Sequence, residues 1–170
     1  MPTNQLGWRA HVQEDLYEVG GSFSTADGTD VAHEGASGRD IQERFPWINV
    51  SPTLLAVGDV GWYQKGRRET HAEAEERAAA ICEWLRAQPS SAGREVDICL
   101  VLHGDLLGMI LRELLGAKPT TRFLHYNTAM TYLNLDTESR QTQLLFHNQV
   151  EHLNEDRELI TGGEMLKVIA

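Results

Sequence analysis

Two cysteines in 170 residues are too few for a disulfide framework, and Cys82 and Cys99 fall in different predicted elements with no C-x-x-C spacing. They read as buried, reduced thiols of a cytoplasmic protein. Basic residues are scarce as well: 15 Lys plus Arg stand against 25 Asp plus Glu, a formal net charge of -10. That balance excludes a general nucleic-acid binder and an anionic-membrane binder, because both partners need a net basic face. A small phosphorylated ligand held by two or three local cations remains compatible with it. No window approaches the eighteen or so apolar residues of a membrane span, and Met1-Pro2-Thr3-Asn4-Gln5 is not the basic start of a secretory signal. The chain also lacks G-x-S-x-G, G-x-G-x-x-G and a P-loop, so no serine-hydrolase, dinucleotide or nucleotide signature is present. Neither H-x-H nor H-E-x-x-H occurs. No metal and no cofactor are expected, and a metal-dependent hydrolase using His147 and His152 ranks last among the readings.

What is present is an ordinary globular balance, 41% apolar and 24% charged. The length fits one domain spanning residues 1–170, able to bury roughly two thirds of its unfolded surface. Residues 1–36 read as extended loop. Ser37 to Phe45 fits a short helix, capped by Ser37 or Asp40 and stopped by Pro46. Residues 47–66 read as loop again, and a stretch of that length is usually functional or a lid. Thr70 to Gln88 is predicted as the main helix: Thr70 and Glu73 form a capping box, and Ala74, Ala78, Ile81 and Leu85 fall on one face. Pro89 and the run Ser90-Ser91-Ala92-Gly93 end it.

Val96 to Leu102 is apolar without alternation, as in a strand covered on both faces. His103-Gly104 breaks it, and a second amphipathic helix follows with Leu106, Leu107, Ile110, Leu111 and Leu114 on one face. Gly116 then caps this helix and Pro119 blocks its continuation. Strands at Thr131–Leu135 and Gln143–Phe146 form a predicted hairpin. The order implies an α/β sandwich with a partly parallel sheet.

Three residues stand out for chemistry. His103 sits where a buried strand is predicted to end and a helix to begin, the edge where open α/β sheets place ligands. The helix start beyond Gly104 suits a phosphate; the alternative is a histidine that only caps the strand. Glu18, in Leu16-Tyr17-Glu18-Val19-Gly20-Gly21, fits a proton donor to a departing alkoxide, or else a solvated surface carboxylate. Glu69 reads as a helix-dipole partner or a member of a polar network.

Together these segments resemble the phosphoglycerate-mutase-like branch of the histidine phosphatase superfamily, from about Leu16 to Gly163. The resemblance is carried by Leu16-Tyr17-Glu18-Val19-Gly20-Gly21, Phe45-Pro46, Gly61-Trp62, Glu69-Thr70 leading into Arg77-Ala78, His103-Gly104, Asn127, Asn148 to His152-Leu153, and Leu159 to Gly163. It implies a three-layer sandwich with a mostly parallel central sheet. It also implies hydrolysis of a phosphomonoester through a phosphohistidine formed on an Arg-His-Gly histidine. His103 then matches the second, phosphate-holding histidine and Glu18 the proton donor, with Gly104 and Asn127 beside the substrate.

The pattern departs from the family at its nucleophile. No Arg-His dipeptide occurs, and only 17 residues precede Glu18. Arg9-Ala10 stands too close to Glu18 to supply the family's phosphate arginine. The chain reads as the C-terminal two thirds of such a phosphatase, without the family's first strand, first helix and nucleophile. It is expected to be an incomplete, inactive catalyst; the alternative is a non-catalytic phosphate- or protein-binding module. Because the family's nucleophile strand lies beside Val96–Leu102, that strand is expected to lose its neighbour. A rearrangement, a homodimer that covers the gap, or poor solubility would follow. The partner otherwise implied is a small phosphorylated substrate or phosphate; which substrate is not readable. The lid region, about Ser22 to Lys65, carries Asp27, Asp30, Glu34 and Asp59, which would repel a highly charged substrate unless they point outward.

Overall fold

A computed structural model of the chain describes residues 10–88, 95–153 and 155–161. Arg9, the helix stop at Pro89 to Gly93 and the Gly162-Gly163 pair lie outside them. The chain divides into two compact units, Met1–His71 and Ala72–Ala170. The fold is mixed α/β, and among the described residues its ladders form three two-stranded sheets.

In the first unit, β1 (Ala10–His11) pairs in parallel with β4 (Ile48–Asn49), and β2 (Phe23–Ala26) pairs antiparallel with β3 (Thr29–Ala32). The β2–β3 hairpin corrects the reading of residues 1–36 as loop. Its turn is Asp27-Gly28, both with positive φ (51° and 75°), the conformation a two-residue hairpin requires and Asp-Gly readily adopts. Helix α1 (Gly38–Arg44) lies within the predicted span. Ser37 accepts from the Asp40 amide at 3.1 Å while Asp40 accepts from the Ser37 amide at 3.0 Å, a complete capping box. Replacing Ser37 with Ala removes half of that box at a residue 3% exposed, and should cost about 1 kcal/mol in urea unfolding; an unchanged midpoint would contradict the assignment. Residues 47–66 likewise hold more than loop. Helix α2 (Pro52–Ala56) starts at a Ser51 cap followed by proline at its first position, a start signal visible in the sequence.

The second unit is built around two helices. Helix α3 (His71–Arg86) opens one residue after Thr70, as the capping-box pattern predicts, and buries Ala74, Ala78, Ile81 and Cys82. Helix α4 (Gly104–Leu115) buries Leu106, Met109, Ile110, Leu111 and Leu114. It ends at Gly116 in the left-handed region, φ 59°, whose amide bonds back to Arg112 and Glu113. The Cys82 thiol lies 3.7 Å from the Ile110 carbonyl, and burial pushes its pKa up to about 12, so it packs as an inert apolar group. Strands β5 (Met130–Leu135) and β6 (Thr142–Gln149) pair antiparallel as predicted, with a register irregularity between Met130 and Leu133.

The segment before α4 departs from the strand covered on both faces that its apolar run predicts. Residues 95–102 form no ladder with any described residue, and Val96 and Ile98 are exposed, with Val101 90% exposed. The predicted strand covered on both faces is therefore corrected to a segment with exposed apolar side chains that forms no ladder with the described residues. An apolar run encodes strand propensity, but a ladder needs a neighbour to exchange bonds with. Cys99 lies in it and is exposed, which also corrects its expected burial. Among the described residues no helix is long and apolar enough to cross a membrane.

Candidate functional site

Glu18 belongs to the first unit and sits in a tight turn. Its carboxylate accepts from the Val19 amide at 2.7 Å and its carbonyl from the Gly21 amide at 3.0 Å. Gly20 and Gly21 both have positive φ (99° and 78°), and a Cβ on Gly21 would stand 2.2 Å from the Tyr63 ring. Both the backbone conformation and the approach of Tyr63 therefore need glycine at position 21. Tyr63 is buried, which raises its hydroxyl pKa, and that hydroxyl donates to the Arg67 carbonyl at 2.6 Å.

What fixes this turn is Glu69. Its side chain is fully buried and accepts from the Tyr17 hydroxyl at 2.9 Å, the Lys65 ammonium at 3.1 Å and the Gly20 amide at 3.4 Å. Its own amide donates to the Gly20 carbonyl at 2.9 Å. Glu69 thus grips the chain on both sides of Glu18, the polar-network role rather than a dipole role alone. Tyr17 packs against the Trp62 and Tyr63 rings, with centroids at 5.1 and 5.6 Å. Arg68 covers the Phe23 ring at 4.2 Å and pairs with Asp30 at 3.1 Å. Hydrogen bonds from Thr25 and Arg68 hold the Asp30 carboxyl below the usual carboxylate range.

His103 belongs to the second unit. It is exposed, occupies the N-cap position of α4 with extended backbone (φ −110°, ψ 161°), and makes no side-chain cap bond. Its carbonyl accepts from the Leu107 amide at 2.9 Å. The imidazole therefore stands at the positive end of a twelve-residue helix without being used to cap it. Asp105 in the first turn stabilises the helix and opposes an anion there.

The pair His125 and His147 lies behind this helix end, and of the two only His147 stood out in the sequence. A Cβ on Gly104 would meet His125 Cβ at 3.8 Å, and one on Gly108 would stand 3.9 Å from His125 Nε2, so the ring lies along the glycine face of α4. His125 Nε2 is buried with no hydrogen-bond partner among the described residues. Its ring meets His147 edge-on at 5.0 Å, and His147 in turn meets Phe123 at 5.6 Å and the Thr131 hydroxyl at 3.2 Å. Burial, with the neighbouring His147, pushes the His125 pKa down to about 4, and burial also lowers that of His147. The spacing of two apolar-flanked histidines, Leu124-His125 and Phe146-His147, was the available signal.

Asn127 is tied to the C-terminal side of the unit: its amide donates to the Thr161 carbonyl at 2.7 Å and its side chain to the Thr161 hydroxyl at 2.9 Å. Asn148, with φ 56°, accepts from the Tyr126 amide at 2.7 Å. Both asparagines hold the loop carrying His125. Of the proposed substrate positions the structure brings Gly104 against that loop and engages Asn127 with Thr161. Among the described residues no group of three or more His, Cys, Asp or Glu could hold a metal ion.

A family model described as the histidine phosphatase superfamily (branch 1) matches residues 32–148. The match contains His103, Gly104 and Asn127 and begins beyond Glu18. No curated protein and no solved structure matches the chain.

Proposed function

We propose that this chain, which belongs to the histidine phosphatase superfamily (branch 1), binds the phosphate of a phosphomonoester at His103. In this reading His103 holds an equatorial phosphate oxygen, Gly104 and Asn127 border the substrate, and Glu18 is the family's proton donor. The family's three-layer, mostly parallel sandwich is the arrangement in which these parts would act. The observation that carries the reading is an exposed imidazole at the N-terminus of α4, inside the matched region and unused as a cap. A protonated or N–H-donating ring and the helix dipole both favour a phosphate oxygen there.

The same reading makes the chain a poor hydrolase. Each of its seven histidines follows a residue other than arginine, so no Arg-His-Gly nucleophile is available to form the phosphohistidine. Losing such a nucleophile removes several orders of magnitude in rate. Calorimetry with inorganic phosphate tests the binding: His103→Ala should weaken Kd by about tenfold or more, the worth of one charged hydrogen bond. Equal affinity in wild type and variant would overturn the site. A generic aryl phosphate tests the chemistry, and turnover that His103→Ala abolishes would overturn the inactive reading. Binding lost in the variant, with no turnover in either protein, fits a pseudoenzyme.

A further inference from the structure

We propose that His125 is proton-linked to the phosphate site at His103: an anion bound at the start of α4 draws a proton from solvent onto the His125 ring. This rests on the His103 reading and adds to it a control of the same site by pH. A Cβ on Gly104 would stand 3.8 Å from His125 Cβ, and one on Gly108 would stand 3.9 Å from Nε2. The ring therefore lies along the first turn of α4, from the residue beside His103 inward. It runs away from the anion rather than toward it, so it acts through the field across about one helical turn and not as a ligand.

Of the two histidines behind this helix end, His125 is the one that can answer such a field. His147 is bonded to the Thr131 hydroxyl at 3.2 Å and to the Leu124 carbonyl. His125 Nε2 is buried and bonds to none of the described residues. Two titratable groups face the His125 ring: His147 from β6, which disfavours its charge, and Asp105 from α4, which favours it. Burial disfavours the charge most and holds the midpoint at about 4. A bound anion joins Asp105 on the favouring side. Across about 10 Å, at an effective dielectric constant of about 20, one negative charge raises the midpoint by about one pH unit. The link is reciprocal, so the protonated ring makes the site bind its anion about tenfold more tightly than the neutral one.

Sulfate is the probe, because its charge does not change in the range where the ring titrates. Calorimetry of the full chain at about pH 5, in two buffers of different ionisation enthalpy, counts the protons taken up. An imidazole in water is already charged there, whereas the His125 ring is mostly neutral. Wild type should take up roughly 0.4 proton per sulfate bound, and His125→Phe close to none. Asp105→Asn should bind sulfate more tightly and still take up protons, which assigns the uptake to the ring rather than to that carboxyl. Proton NMR of the wild-type ring should show the His125 midpoint about one pH unit higher in saturating sulfate, a readout that needs no variant to fold. Uptake that persists in His125→Phe, uptake that vanishes in Asp105→Asn, or a His125 midpoint unmoved by sulfate would overturn the proposal. Sulfate that binds, and is lost in His103→Ala, but moves no proton overturns the link alone. Sulfate that does not bind overturns the His103 reading together with it.

Discussion

Glu69→Ala should destabilise the first unit by about 2–4 kcal/mol, because it removes a buried acceptor from three donors at once. The Lys65 ammonium is one-third exposed, so its share is screened, and most of the loss comes from the Tyr17 and Gly20 bonds inside. Glu69→Gln keeps the size and one acceptor oxygen and should lose less. Urea unfolding reads the loss as a fall in midpoint of about 1–2 M. Hydrogen exchange locates it, with the Gly20 and Gly21 amides accelerating ahead of those in α4. A midpoint within experimental error of wild type would show that Glu69 is not what holds the Glu18 turn. The consequence is local: the Glu18 carboxylate is held in one place only while the backbone on either side of it is fixed.

Glu69 also marks where reading the sequence stops. Its partners Tyr17 and Gly20 lie 52 and 49 positions away, and no local pattern connects them. Elements fixed by neighbouring residues were legible: the Ser37–Asp40 box of α1, the apolar face and Gly116 end of α4, and the β5–β6 hairpin. The β2–β3 hairpin was equally local, and its Asp27-Gly28 turn could have been read. The segment 96–102 was misread for a different reason. Its composition states a preference for strand, but whether a strand forms depends on a partner elsewhere, and none of the described residues supplies one. For the site, His103 was placed by its position at a helix start. His125 was missed because its significance comes only from the glycine face of α4 and from His147, which folding brings to it.

That pair makes the second unit sensitive to mild acid. In the unfolded chain an imidazole takes its proton near pH 6.5, whereas the buried His125 ring does so only at about 4. Between those values the unfolded chain binds more protons, so the stability carried by neutral His125 is complete above about pH 6.5. It drains as pH falls and is gone near pH 4. The gap corresponds to about 3 kcal/mol at 1.36 kcal/mol per pH unit. Asp105 works against the shift, and His147, lowered by burial in the same direction, adds to the loss. The carboxylates held low by their hydrogen bonds, Glu83 beside Arg140 and Asp136 at its turn, begin to lose their contributions only as pH falls through the ordinary carboxylate values, so most of the His125 window lies above theirs. Unfolding free energies at about pH 7 and about pH 4.5 should therefore differ by roughly 2–3 kcal/mol in wild type and by much less in His125→Phe, which keeps an aromatic ring against His147 without the proton. An equal difference in both proteins would place the acid sensitivity elsewhere. A His125→Phe variant that is also more stable at pH 7 would follow from an Nε2 that has no partner among the described residues, since an apolar edge there no longer forgoes a hydrogen bond.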